Sequence, residues 1–91
     1  MSSRKKSLTQ RILTSAQIPE DLSENALLFQ VTGRQEAYIE NYKGILEYTD
    51  SRILLLGKQC RLSVEGKHLA IPFYTAEEMK ITGQIERISY L

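Results

Sequence analysis

The sequence predicts a mainly β protein: a single small antiparallel β domain of hairpins in a meander, about seven strands, preceded by a short amphipathic helix. Three observations carry this expectation. From residue 26 onward, short runs rich in Val, Ile, Leu, Tyr and Phe are separated by clusters of Gly, Asn, Asp and Ser, the pattern of strands and turns. Cys60, Leu62 and Val64 alternate with Arg61, Ser63 and Glu65, a period of two that gives a strand one apolar and one polar face. A helical spacing of apolar residues, by contrast, stands ahead of Pro19. The chain divides accordingly into a basic tail with a short helix (1–17), a polar connector (18–25) and a β domain (26–91).

The helix is expected to start at Ser7, because Ser7 and Gln10 stand three apart as in a capping box. Leu8, Ile12, Leu13 and Ala16 then share one face, and Ile18-Pro19 ends the run, since a residue before proline is pushed out of the helical region. A helix of about ten residues is marginal alone in water. It therefore needs the β domain, a partner or a membrane surface to pack on.

Strands are expected near Leu27–Thr32, Glu36–Asn41, Ile45–Thr49, Arg52–Gly57, Cys60–Glu65, His68–Phe73 and Lys80–Tyr90. Thr49-Asp50-Ser51 and Gly57-Lys58-Gln59 supply turns, and Gly66-Lys67 has the Gly-X form of a type II′ hairpin loop. Ile53 to Leu56 does not alternate and reads as covered on both faces. Pro72 has no N–H for a ladder, which places its strand at an edge or a bulge. In the last run the apolar parity passes from Ile81 and Ile85 to Ile88 and Tyr90, so either a bulge near Glu86-Arg87 or burial on both faces is expected. Thr75 and Glu78, three apart, suit the cap of one short helical turn. The similar stretches around Gly33, Gly66 and Gly83 read as successive hairpins, with a solenoid as the lesser alternative.

Size and composition bound the function. Ninety-one residues hold one modest core. Hydrophobic and charged fractions of 42% and 25% are ordinary for a globular chain. With no long apolar run, no secretory leader pattern and a single cysteine, Cys60, the expected compartment is the reducing cytoplasm. The net charge of +1 hides an asymmetry: Arg4, Lys5, Lys6 and Arg11 lie in the first 17 residues, which hold no acid. From residue 26 onward eight basic and eight acidic residues cancel. Electrostatic recruitment, to a membrane surface or a partner, is thus a property of the tail. The body lacks the basic excess of a nucleic-acid surface.

The stretch Asn41-Tyr42-Lys43-Gly44 looks most like a site. Its structural reading is a three-residue hairpin loop, with Asn41 opening a type I turn and Gly44 in the left-handed position of a bulge. Its functional reading has Tyr42 and Lys43 meet a partner at the loop tip. Glu40 and Glu47 flank it, and two carboxylates are the minimum of a glycosidase, but solvated strand glutamates are the commoner case. His68 has no second ligand for zinc and reads as a solvated turn residue. Cys60 has aliphatic companions rather than a base and reads as a small core residue. No phosphate-binding glycine loop, nucleophile elbow or metal motif occurs. The expected protein is therefore not an enzyme and uses no cofactor and no metal. Tyr38, Tyr42, Tyr48, Phe73 and Tyr74 offer bases a stacking platform, which keeps a small regulatory nucleic-acid-binding domain as the second reading.

Taken together, Tyr38-Ile39-Glu40-Asn41, Lys43-Gly44, Tyr48-Thr49-Asp50, the Val64-Glu65-Gly66-Lys67 run and the closing Ile81-Thr82-Gly83-Gln84-Ile85 resemble the YabP/YqfC family of sporulation proteins. Ile18-Pro19-Glu20-Asp21 after a short basic helix resembles the YqfC branch. The resemblance runs across nearly the whole chain. It implies a role in endospore formation, expression in the mother cell and a link with a larger membrane-associated sporulation protein, and it implies no catalytic residue. Beside it stands the reading of the residues: an adaptor or assembly component in the mother-cell cytoplasm, with peripheral contact at the forespore membrane through the N-terminus. Exposed edge strands, such as the one carrying Pro72, leave a homo-oligomer open.

Overall fold

The computed structural model describes residues 25–91, so the expected helix and the four tail cations lie outside the described residues. Six strands follow in order: β1 (Leu28–Thr32), β2 (Glu36–Glu40), β3 (Gly44–Tyr48), β4 (Arg52–Gly57), β5 (Cys60–Tyr74) and β6 (Glu78–Tyr90). They form one sheet ordered β1-β2-β6-β5-β4-β3, antiparallel throughout. The all-β expectation holds, whereas the simple meander does not. β3 to β6 meander, but the β1–β2 hairpin adds to the far side of β6, so the chain crosses from one flank of the sheet to the other between β2 and β3.

Two long strands carry both halves of this sheet. β4 covers only Cys60–Glu65 of β5, and β2 covers only Glu78–Thr82 of β6. Between these zones the β5–β6 register shifts at Glu65/Gly66, Lys67/Ala70 and Ala70/Phe73. Such bulges bend a strand and increase its twist. The sheet folds over on itself: the edge of the Phe29 ring in β1 meets Tyr90 at the end of β6, with centroids 6.3 Å apart. One core results, built from Ala37 and Ile39 of β2, Ile53 and Leu55 of β4, Leu62, Val64 and Leu69 of β5, Met79, Ile81 and Ile85 of β6, and Tyr42. Burying each larger aliphatic side chain stabilises the fold by roughly 1.5–3 kcal/mol.

The two glycines at the bend are there for approach. A Cβ on Gly66 would lie 1.9 Å from the Gln84 carbonyl oxygen, and one on Gly83, at φ 134°, would lie 2.6 Å from that of His68. Gly66-Lys67 is therefore no hairpin loop. It lies inside β5, joining two runs that the sequence reading separated, because the glycine lets two backbones touch rather than turning the chain. Gly33 alone of the three similar stretches sits in a hairpin loop, at φ 59°.

Other local expectations divide in the same way. Thr49-Asp50-Ser51 turns β3 into β4: Thr49 N–H donates to Arg52 O at 2.8 Å and its Oγ1 accepts from Arg52 N–H at 2.9 Å. Lys58 and Gln59 close the β4–β5 hairpin, with Gln59 at φ 59°. The parity change in β6 comes from a bulge, since Glu65 pairs with Arg87 and Gly66 with Ile85, leaving Glu86 unmatched. Pro72 falls in the Ala70/Phe73 shift, on the part of β5 that β4 does not cover. Two expectations are corrected. Ile53 and Leu55 are buried while Leu54 is half-buried and Leu56 exposed, so β4 has one inner face and an open one. Thr75 starts no helical turn: its Oγ1 accepts from Glu77 N–H and Glu78 N–H, but its own N–H donates to Glu78 O, which closes the β5–β6 hairpin.

Candidate functional site

The segment from Asn41 to Lys43 is the crossover between the two flanks of the sheet, and the backbone N–H groups of Asn41 and Lys43 both donate to distant carbonyls. Asn41 takes the left-handed conformation, φ 65°, which asparagine tolerates better than most residues. Its N–H donates to Glu77 O at 2.6 Å and its Nδ2 to Ala26 O at 3.0 Å. Lys43 N–H donates to Leu56 O at 2.7 Å. The crossover is thus sewn to the β5–β6 turn, to the start of β1 and to the end of β4.

This corrects the loop-tip expectation. Tyr42 is buried in the core and its hydroxyl donates to Thr75 O. Burial, helped by Tyr74, raises its pKa. It is an anchor and presents nothing to a partner. Gly44 opens β3 without a positive φ and with open space where a Cβ would stand, so Asn41 rather than glycine makes the left-handed turn. Of the residues expected at this tip, Lys43 alone keeps an exposed side chain. Arg4, Lys5, Lys6 and Arg11 lie outside the described residues.

The carboxylates are dispersed. β6, β5 and β4 stand between the strands of Glu40 and Glu47 in the sheet, and Glu47 instead faces Arg52 at 3.6 Å. Glu78 accepts a 2.6 Å hydrogen bond from Tyr38 Oη. That bond, followed by burial and the charges of Glu78 and Glu40, pushes the Tyr38 hydroxyl up to about 12. A phenol held protonated between strands is a cross-strand tie. His68 is exposed, as expected, though within β5 at φ 55° rather than in a turn; Cys60 is half-buried beside the β4–β5 loop. Among the described residues no group of His, Cys, Asp and Glu is placed to hold a metal ion, and no helix is long and apolar enough to cross a membrane.

The surface features that sequence reasoning missed are apolar. Every residue of β1 is exposed, including Leu28, Phe29 and Val31, and β3 exposes Ile45, Leu46 and Tyr48. Both strands are sheet edges. Strand-forming residues alone do not tell an edge strand from an interior one. The signal available was the uncharged run from Ala26 to Thr32.

Comparison with known proteins matches this architecture to one family. The profile of the YabP family matches residues 24–91, which takes in all six strands. The chain is also 28% identical over 91 residues to the uncharacterized protein YqfC of Bacillus subtilis (strain 168), covering 100% of this chain and 98% of that protein. No solved structure matches. With the family profile spanning the whole β domain and a relative aligned from end to end, the chain belongs to the YabP family.

Proposed function

We propose that this protein is a non-enzymatic adaptor or assembly component in endospore formation, acting in the mother cell with a membrane-associated sporulation protein. Membership of the YabP family supports the association with sporulation. The observation that carries the recruiting role is the charge distribution: Arg4, Lys5, Lys6 and Arg11 without an acid in the first 17 residues, joined to a body whose charges cancel. Clustered cations in a sequence whose apolar residues recur at helical spacing suit an anionic surface, where each cation adds about 1 kcal/mol. The dispersed carboxylates and the anchored crossover give the β domain the character of a rigid carrier.

The test is imaging of a fluorescent fusion in sporulating cells, full length beside a version lacking residues 1–17. The full-length protein is expected to outline the developing spore and the shortened one to disperse. Both forms staying diffuse would overturn tail-directed recruitment. Both lying on the nucleoid would favour the nucleic-acid reading, although that reading has lost Tyr42 from its stacking surface. Turnover of a defined substrate by purified protein, abolished with the fold intact on losing Glu40 or Glu47, would overturn the adaptor reading as a whole.

A further inference from the structure

We propose that β1 is a pairing edge for a second copy of the chain, joined antiparallel about a two-fold axis at Gln30 so that two six-stranded sheets become one. The proposal goes beyond the adaptor reading and does not depend on it. It starts from how the described residues treat the open edges of the sheet: β1, β3 and the halves of β5 and β6 that their neighbours leave uncovered. An unguarded edge presents free N–H and C=O groups to any other strand, and proteins blunt such edges with charges, proline, bulges or covering contacts.

The edges other than β1 are blunted. On the half of β6 that β2 leaves uncovered, Ile85 N–H donates to Arg34 O at 2.7 Å and the charged Glu86 and Arg87 follow at a bulge. β3 carries a register shift between Ile45 and Glu47, and Glu47 faces Arg52 across it. The uncovered half of β5 is occupied from within: Leu69 N–H donates to Asp50 O at 2.8 Å, Ile71 N–H donates to the Tyr48 hydroxyl at 3.0 Å, and Pro72 follows without an N–H. β1 has none of these devices. Its five residues, Leu28-Phe29-Gln30-Val31-Thr32, contain no charge and no proline, and they pair with β2 through five consecutive positions without a shift. Phe29 and Val31 stand opposite Ile39 and Ala37, both fully buried, and so lie on the core face of the sheet, yet they remain 37% and 38% exposed. One more strand alongside would cover them.

The composition of β1 points to itself as that strand. Antiparallel pairing centred on Gln30 sets Phe29 opposite Val31 and Leu28 opposite Thr32, twice over by symmetry. An aromatic facing a β-branched residue is a favourable cross-strand pair, and no like charges meet. On the axis each Gln30 faces its own copy, and an amide can donate and accept at once, whereas a lysine or glutamate there would repel itself. A two-fold interface needs such a self-complementary patch. The centre at Gln30 holds whichever alternate set of β1 amides points outward, because the register is symmetric for both.

The experiment uses the full chain, by sedimentation over a range of concentrations, with three variants at an exposed position. Wild type is expected to pass from 10.4 kDa towards twice that mass as concentration rises. Gln30→Lys and Gln30→Glu should each remain monomeric with unchanged circular dichroism, and an equimolar mixture of the two should dimerise again. Gln30→Cys in a Cys60→Ser background should cross-link on mild oxidation, since facing Cα atoms in an antiparallel pair lie about 4.5–5.5 Å apart, within reach of a disulfide. Asp50→Cys, at the β3–β4 turn, should not. Wild type that stays monomeric together with Gln30→Cys that fails to cross-link would overturn the proposal. So would a dimer indifferent to Gln30→Lys. Dimerisation only after removal of residues 1–24 would also overturn it, and would name the chain's own N-terminal segment as the occupant of the edge.

Discussion

At the scale of single residues, the two tyrosines near the crossover are ties and not contacts. Tyr42 joins the core and its hydroxyl donates a hydrogen bond to Thr75 O. Tyr42→Phe keeps the ring and leaves that carbonyl unpaired, so it should cost about 1 kcal/mol, read as a lower denaturation midpoint with an unchanged slope. Tyr38 makes a pH prediction. Its hydroxyl, ordinarily near 10, is pushed up to about 12 by the bond to Glu78. Between those values the unfolded chain loses the proton while the folded one keeps it, so the native state binds more protons and stability falls as pH rises. Below pH 10 the contribution is fully present. Tyr38→Phe should flatten this alkaline decline relative to wild type, measured by denaturation at a series of pH values; an identical decline in both would refute the assignment. These roles were only half legible beforehand. Tyr42 next to Asn41 and Gly44 satisfies hairpin-loop chemistry as well as crossover chemistry, because local turn preferences do not say whether the next strand lies beside the last one or with three strands between them.

At the scale of elements, strand positions could be read closely and strand partners could not. An unbroken apolar run between two turn signals is enough to place β4 at Arg52–Gly57, and a change of parity is enough to point to the irregularity at Glu86. Gly66 was misread because glycine serves both tight turns and close backbone approach, and only the partner strand decides between them. The difference is measurable at two glycines. Gly66→Ala places a Cβ 1.9 Å from Gln84 O, so β5 and β6 must move apart, at a cost of about 3 kcal/mol or more, the upper end of overpacking. Gly44→Ala meets nothing within 4 Å and needs no positive φ. It should be neutral or stabilise by about 0.4–1 kcal/mol, by restricting the unfolded chain. Thermal unfolding of both variants checks the pair, whereas left-handed hairpin positions at both glycines would make the two substitutions cost alike.

At the scale of the molecule, the described body carries ion pairs at partly exposed positions, among them Lys80 with Glu36 at 3.3 Å and Arg87 with Glu65 at 3.6 Å. Pairs of this kind contribute between about 0 and 1 kcal/mol each. A charge-balanced body should show no steeply salt-dependent binding to DNA or RNA once residues 1–24 are removed, as read by fluorescence anisotropy at low and moderate salt; such binding, lost on replacing Tyr48, Phe73 and Tyr74, would transfer the recognition role from the tail to the sheet. Charge asymmetry, all-β class and family were legible because they are properties of composition and local pattern. The flank-to-flank crossover and the bare β1 edge were not, since both follow from which distant strands pair.

The position of β6 also governs how the protein can be made. It is the sixth strand to leave the ribosome, yet in the sheet it lies between β2 and β5, and it supplies Met79, Ile81 and Ile85 to the core. Until it emerges, the nascent chain owns a β1–β2 hairpin and a β3–β4–β5 ribbon that share no ladder. A chain broken off before residue 78 has no central strand to join them. A product that stops there lacks the strand joining its two halves, so it should be cut readily by proteases that leave the chain through residue 91 intact.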